Sequence, residues 1–260
     1  LGIQSFDSSL RSSLGRKSNR KTIVEAIRMI KDAGIEDIGG DLIYGLKDQQ
    51  LSTWKSDVDL IASLPLSSIS IYPLVTKENS SAPPEPENKE RLQQEYEYFL
   101  YSDNELAKID GWERQTPVQY GHRQKGRSVY VRGHGKSADV LAFGSYSAGR
   151  TGDNMYLIQA SPEQVAADDQ IIPASGVLFL EANSMIKDLR TIFRLSEGSS
   201  IKQKDYHPIK DVFQKDIDML TNKQLITIDS KSILLTQQGR FWAGNISAIF
   251  SDTIRKQLSV

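Results

Sequence analysis

The sequence predicts an α/β fold in which a parallel sheet comes first, a mixed α+β region follows, and a helical, winged-helix-like module closes the chain. Three observations predict it. Through Val75, short apolar runs alternate with helical periods. Between Glu78 and Glu90 the chain is polar and contains Pro83, Pro84 and Pro86, which mark a loop or linker. From Ser175 onward the pattern runs helix, helix, β-hairpin, helix. The expected division is 1–76, 77–170 and 171–260.

Each element has its own signal. Leu1–Phe6 reads as a strand, and Thr22–Lys31 as a helix, because Ile23, Ala26, Ile27 and Ile30 recur at helical spacing before Gly34, a C-cap. The cycle repeats with Ile38–Leu46 as strand and Leu51–Leu64 as helix, where Leu51, Trp54, Val58 and Ile61 share one face. Ser68–Val75 is the third strand. Strands separated by single helices imply βαβ units and a right-handed parallel sheet. Lys89–Ile109 reads as a long helix through Leu92, Tyr96, Phe99, Leu100 and Leu106. Beyond Gly111, the segments Glu113–Tyr120, Arg127–Gly133 and Val140–Gly144 read as extended. The last unit reads as helices Ser175–Leu195 and Asp205–Leu220, strands Leu225–Ile228 and Ser232–Leu235 across Asp229-Ser230-Lys231, and a helix over Thr236–Phe250.

Composition narrows the function classes. The chain has 260 residues, 38% of them hydrophobic, enough to bury a real core. With 32 basic and 33 acidic residues the net charge is −1, so no global field draws nucleic acid or an anionic membrane. Asp211, Asp216 and Asp218 on the second helix of the last unit would repel phosphates, which argues against DNA reading. No cysteine is present, so these residues hold no disulfide and no thiolate-bound metal or iron–sulfur cluster. No apolar run is long enough to span a membrane and no signal peptide opens the chain, so a cytoplasmic location is expected.

The candidate site lies near the carboxyl ends of the first strands, where ligands of parallel sheets bind. Gln4 offers two donors and an acceptor, Asp41 can accept both hydroxyls of a ribose, and Arg16 can hold a carboxylate with two parallel bonds. Together they suit an adenosyl amino acid. Gly39 and Gly40, directly before Asp41, leave room for a ligand or for a neighbouring helix. Taken one at a time, each residue also fits a plainer role: a hydrogen-bonded strand glutamine, a solvated loop arginine, an aspartate capping a turn. Residue chemistry alone leaves that choice open.

Gly-Ile-Gln-Ser-Phe-Asp at 2–7, Leu-Gly-Arg at 14–16 and Asp-Leu-Ile-Tyr-Gly-Leu at 41–46 together resemble the radical S-adenosylmethionine enzymes of the oxygen-independent coproporphyrinogen III oxidase family. The resemblance extends through Ser70-Ile71-Tyr72, Gly111-Trp112-Glu113, Ala142-Phe143-Gly144 and the Leu235-Thr236 to Gly239-Arg240-Phe241-Trp242 segment. It implies the C-terminal half of a (β/α)6 partial TIM barrel, then an accessory region that covers the substrate. Gln4, Arg16 and Asp41 match positions that contact S-adenosylmethionine, and Gly40 is grouped with them. Asp139–Gly149 and Gly239–Trp242 look most like the anaerobic haem-degrading methyltransferase branch, which implies methyl transfer to the porphyrin, ring opening and iron release. The oxidase branch implies decarboxylation of two propionates, and a third branch is a non-catalytic haem chaperone.

The resemblance also implies a [4Fe–4S] cluster held by a CxxxCxxC motif that this chain lacks, and an electron donor such as a flavodoxin or ferredoxin. That lack, with Leu at position 1, leads to the expectation that the chain is the back part of a longer protein and inactive by itself. Lys47 and Pro73 depart from the family pattern. For the tetrapyrrole, His122, Arg123, Arg132 and His134 are the candidate contacts, within a zone spanning 120–134. Histidine can ligate haem iron and arginine can meet propionates. Tyr120, Tyr130 and Tyr146 could stack on the ring, with sheet packing as the alternative. A winged-helix interaction protein with a vestigial barrel is the remaining reading, of another class. No catalytic side chain and no resident metal ligand are assigned.

Overall fold

The structure, a computed structural model, describes residues 1–75, 88–123, 139–151, 154–158, 161–167, 174–179, 184–198 and 200–258. The chain divides into two compact units, Leu1–Arg127 and Ser128–Val260.

In the first unit the elements are β1 (Gly2–Gln4), α1 (Ser8–Ser13), α2 (Arg20–Asp32), β2 (Gly39–Tyr44), α3 (Leu51–Ile61), β3 (Ser68–Pro73), α4 (Lys89–Leu106), β4 (Trp112–Thr116) and β5 (Gln119–His122). They form one five-stranded sheet in the order β1-β2-β3-β5-β4. The first three strands are parallel, as the alternation of strands and helices predicts. β5 then pairs antiparallel with β3, and β4 with β5, so Glu113–Tyr120 is a hairpin bend rather than one extended segment. Thr116 and Val118 flank the tight turn, where the Val118 amide bonds to the Thr116 hydroxyl.

Local chemistry fixes the ends of the helices. Asn19 caps α2 by accepting from the Thr22 amide, and Asn88 caps α4 by accepting from Arg91. The short helix α1, which no sequence period announces, starts where the Asp7 carboxylate accepts from the Ser9 and Leu10 amides. The core beneath the sheet is aromatic: Trp54 of α3 donates its indole N–H to the Tyr98 carbonyl and the Ser102 hydroxyl at 2.9 Å each. Tyr44 meets the Trp54 ring edge-on at 5.7 Å.

In the second unit, β6 (Ser147–Thr151), β7 (Asn154–Ile158) and β8 (Ala174–Phe179) form an antiparallel sheet, with α5 (Pro162–Ala167) between β7 and β8. There follow α6 (Ser184–Gly198), β9 (Ser200–Lys202), α7 (Gln203–Tyr206), a 3-10 turn at His207–Ile209, α8 (Lys210–Asn222), β10 (Ile226–Ile228), β11 (Ser232–Leu235), α9 (Gln237–Phe241) and α10 (Ala243–Leu258). The hairpin is where its turn residues place it: Asp229 accepts from Lys231 and Ser232 at 2.7 Å, and β9 adds a third strand. Phe213, Ile217, Ile246 and Phe250 fill the core, the two rings meeting edge-on at 5.6 Å.

Four expected elements need correction. Ser175–Leu195 is not one helix: its first residues form β8, because a short apolar run suits a strand as well as a helix, and β7 offers a partner for it. Asp205–Leu220 breaks at Pro208, which has no N–H to continue a helical ladder. Thr236–Phe250 breaks at Trp242 and resumes through Leu258. Within Val140–Gly144 only Val140 makes a bridge; Gly144, at φ +83°, and Tyr146, at φ +53°, turn the chain into β6. Arg127–Gly133 lies outside the described residues.

The motif around Gly239 has a packing cause. Thr236 caps α9 through the Gly239 amide, and a Cβ on Gly239 would sit 1.8 Å from the Leu225 carbonyl oxygen. No side chain fits there.

A polar sheet face with a left-handed glutamine at its edge

Strand alternation divides the first sheet into two faces. Ile3, Leu42, Tyr44, Ile69, Ile71 and Tyr120 lie buried on one face. The register places Gly2, Asp41, Ser70 and Gln119 in one row across the other face, with Gly39, Ser68 and Gly121 in the row below. Both serines are buried, so this face is polar even where water does not reach it.

Three of the four candidate cofactor-binding residues, Gln4, Arg16 and Asp41, come together here. Asp41 is opposite Gly2, and its amide donates to the Leu1 carbonyl at 2.9 Å. Gln4 adopts φ +69°, the left-handed region that non-glycine residues seldom enter. This turn folds the Gln4 amide back over Gly2, where a Cβ would stand 2.8 Å from Gln4 Nε2. The exposed Arg16 reaches the same place, donating from Nη1 to the Gly2 carbonyl at 3.0 Å. Gly2 therefore leaves the space that the amide and the guanidinium share. The Asp41 carboxylate makes no hydrogen bond among the described residues.

Gly40 belongs to the opposite face. A Cβ there would be 3.0 Å from both Ile3 Cδ1 and Ile69 Cδ1, so close packing explains this glycine. On the polar face it is Gly39 whose missing Cβ makes room, for the Ser68 hydroxyl at 3.0 Å.

The tetrapyrrole candidates are less gathered. Tyr120 is fully buried and its hydroxyl bonds to the buried Asp103 carboxylate, which also pairs with Arg114, so Tyr120 is a packing residue. His122 shares the alternation of Tyr120, away from Asp41; its ring lies against Gly111, where a Cβ would be 2.9 Å from Nε2. Arg123 is exposed beyond the end of β5. Arg132, His134 and Tyr130 lie outside the described residues. In the second unit, Leu141, Phe143 and Tyr146 stand largely exposed in the run before β6. Among the described residues no group of histidine, cysteine, aspartate and glutamate could hold a metal ion, and no helix is long and apolar enough to cross a membrane.

Sequence reading missed the residues that support the site. Arg11, buried on α1, donates to the carbonyls of Ile3 and Ser5 and to Ser18. Asp57, buried on α3, accepts from the Ser5 hydroxyl at 2.6 Å and the Phe6 amide at 3.1 Å. Burial pushes the Asp57 carboxyl up to about 6, against the pull of those two bonds. Gln115, at the bulge in β4, was missed too; its Nε2 lies over Gly121, buried and without a hydrogen bond. Only the placement of polar residues among apolar ones could have flagged these positions.

No protein-family model matches the chain. It is 23% identical to anaerobilin synthase of Escherichia coli O157:H7 over 98% of its length, and 24% identical to the heme chaperone HemW of Lactococcus lactis over 94%. It spans 58% and 66% of those two proteins, respectively. Similarity also extends to an oxygen-independent coproporphyrinogen III oxidase of Synechocystis, at 24% identity over 98% of the chain and 60% of that protein. Among solved structures, coproporphyrinogen III oxidase from Escherichia coli, described as a radical SAM enzyme, matches with a TM-score of 0.71 at 18% identity. That match covers 96% of this chain and 62% of the other.

Proposed function

We propose that this chain, a member of the oxygen-independent coproporphyrinogen III oxidase family of radical S-adenosylmethionine proteins, grips the adenosyl ligand of a tetrapyrrole-modifying enzyme. The observation that carries the reading is the meeting of Gln4 and Arg16 over Gly2, beside Asp41, on the polar sheet face. These donors and acceptors fit S-adenosylmethionine, which when bound supplies the reactive carbon group. Asp41 accepts from the ribose hydroxyls, Gln4 presents its amide, and the remaining Arg16 donors hold the ligand carboxylate. The residues do not fit the [4Fe–4S] cluster, since the chain has no cysteine. A cluster-bearing segment and a flavodoxin- or ferredoxin-like electron donor complete the proposal.

The substrate reading is haem or a related flat, anionic tetrapyrrole, with radical methyl transfer and ring opening as the favoured reaction and propionate decarboxylation as the alternative to it. Exposed Leu141, Phe143 and Tyr146 support it, because they offer apolar and aromatic surface suited to a porphyrin face. His122, Arg123, Arg132 and His134 remain the proposed polar contacts. The helices and three-stranded sheet that end the chain are read as a winged-helix-like module, not a DNA reader. A chaperone reading stands beside these, favoured by the similarity to a heme chaperone over 94% of the chain.

Titration calorimetry of the chain with S-adenosylmethionine tests the grip. Binding is expected, with Asp41→Ala weakening it by roughly tenfold or more, the scale of hydrogen bonds to charged groups. No binding by the unaltered chain would sink the reading. Anaerobic incubation of the cluster-bearing protein with haem, reductant and S-adenosylmethionine separates enzyme from chaperone. Loss of the porphyrin absorption band marks turnover, and its persistence marks a carrier.

A further inference from the structure

Gln4 holds a strained backbone conformation, and such strain persists only where the surroundings over-determine it. Those surroundings are unusually complete. On one side of Gln4 the Ile3 carbonyl accepts from Arg11, and on the other the Ser5 carbonyl accepts from the same guanidinium at 3.1 Å. The Ser5 hydroxyl donates to Asp57 and accepts from the Asp7 amide at 3.0 Å, while the Phe6 amide donates to the second Asp57 oxygen. Arg11 and Asp57 are both buried.

We infer that Arg11 and Asp57 are positioning residues for the adenosyl site: they lock the end of β1 so that Gln4 stays folded over Gly2 beside Arg16 and Asp41. The inference rests on the adenosyl reading above. It also assigns Asp57 a proton-dependent role. Its ionised carboxylate accepts from both the Ser5 hydroxyl and the Phe6 amide; once protonated, it donates to the Ser5 hydroxyl, so that bond reverses and the Phe6 bond loses its charge assistance. The charged groups around it are Asp7 at the start of α1, Arg11 within α1 and Arg20 at the start of α2. Desolvation prevails over the cationic neighbours and sets the transition near pH 6.

Two measurements on the full chain test this. The backbone amide of Phe6, followed by nitrogen–proton correlation spectra, should titrate with a midpoint near 6 and become pH-independent in Asp57→Asn. S-adenosylmethionine affinity should fall about fivefold, the difference between a charge-assisted hydrogen bond and a neutral one, between pH 7.5 and 5. Asp57→Asn should bind at pH 7.5 as weakly as the unaltered chain does at pH 5 and show no such fall. Comparing the two proteins at each pH cancels any titration of the ligand. Arg11→Lys, which keeps the charge but loses the fork, should also weaken binding.

A Phe6 amide that does not titrate would overturn the inference. So would equal affinities of the unaltered chain and Asp57→Asn at pH 7.5. If the unaltered chain binds no S-adenosylmethionine at pH 7.5, the adenosyl reading itself falls, and the positioning role falls with it. The amide titration tells that result apart from a clamp that is wrongly described.

Discussion

The two faces of the first sheet are built from alternate residues of the same strands, yet they answer to different demands. One face carries Ile3, Leu42, Tyr44, Ile69 and Ile71, all nearly inaccessible and packed with the aromatic cluster of α3 and α4. The other carries Gly2, Gln4, Asp41, Ser68 and Ser70, which a purely stabilising face would replace with apolar residues. The difference teaches how the proposed grip can be tested apart from the core: substitutions on the first face should be read in folding energy, and those on the second in binding.

The largest effect should come from the apolar face. Leu42→Ala deletes a fully buried side chain at the centre of the sheet and should cost about 2–5 kcal/mol of unfolding free energy by denaturant titration. A loss below about 1 kcal/mol would break the comparison, because it would mean that this face does not carry the core.

Next comes the clamp behind the strand end. The Asp57 pKa is raised from 3.8 to about 6, so the folded state binds the extra proton between those values and stability rises as pH falls through 6. Above pH 7 the buried charge costs up to about 3 kcal/mol. Asp57→Asn should therefore unfold at higher denaturant than the unaltered chain at pH 7.5, with the gap closing below pH 4. Acid thus strengthens the fold while weakening the site, a pairing of opposite signs that general acid denaturation cannot produce.

That clamp also marks the limit of what the sequence displays. The three parallel strands, helices α2 to α4 and the hairpin of the second unit were legible because each rests on periodicity or turn chemistry within about a dozen neighbouring residues. Gln4, Arg16 and Asp41, the proposed grip, were singled out through their motifs, and the structure brings them to one end of the polar face. The bond between Ser5 and Asp57 crosses 52 positions and follows from no local pattern. The same is true of Arg11, which looks like the solvated arginine of a short polar helix and is instead buried under the strand end. β6 was missed because Gly149 and the serine near it dilute the alternation, and β8 was read as helix because a short apolar run suits either element. The structure shows why Gly149 is there: a Cβ would overlap the Tyr156 ring.

A smaller effect is expected at the far side of the polar face. Gln115 Nε2 is buried above Gly121 without a hydrogen bond, so the folded state bears its desolvation cost. Gln115→Leu should raise stability by about 1 kcal/mol. A gain would place Gln115 with the residues kept for something other than folding; a loss would make it an ordinary part of the sheet.

The smallest change in stability should be at Asp41, the residue most central to the proposed grip. Its carboxylate is half-buried and bonds to nothing among the described residues, while its backbone is held from both sides by β1 and β3. Asp41→Asn keeps the shape and removes only the charge, so unfolding should shift by no more than about 0.5 kcal/mol. The same substitution puts a donor where the ribose hydroxyls need an acceptor, and S-adenosylmethionine affinity should fall roughly tenfold. A side chain that costs nothing to change in the empty protein and much in the bound one acts on the ligand. If stability instead fell by the amount expected for Leu42→Ala, Asp41 would be part of the framework, and the division between the two faces would not hold.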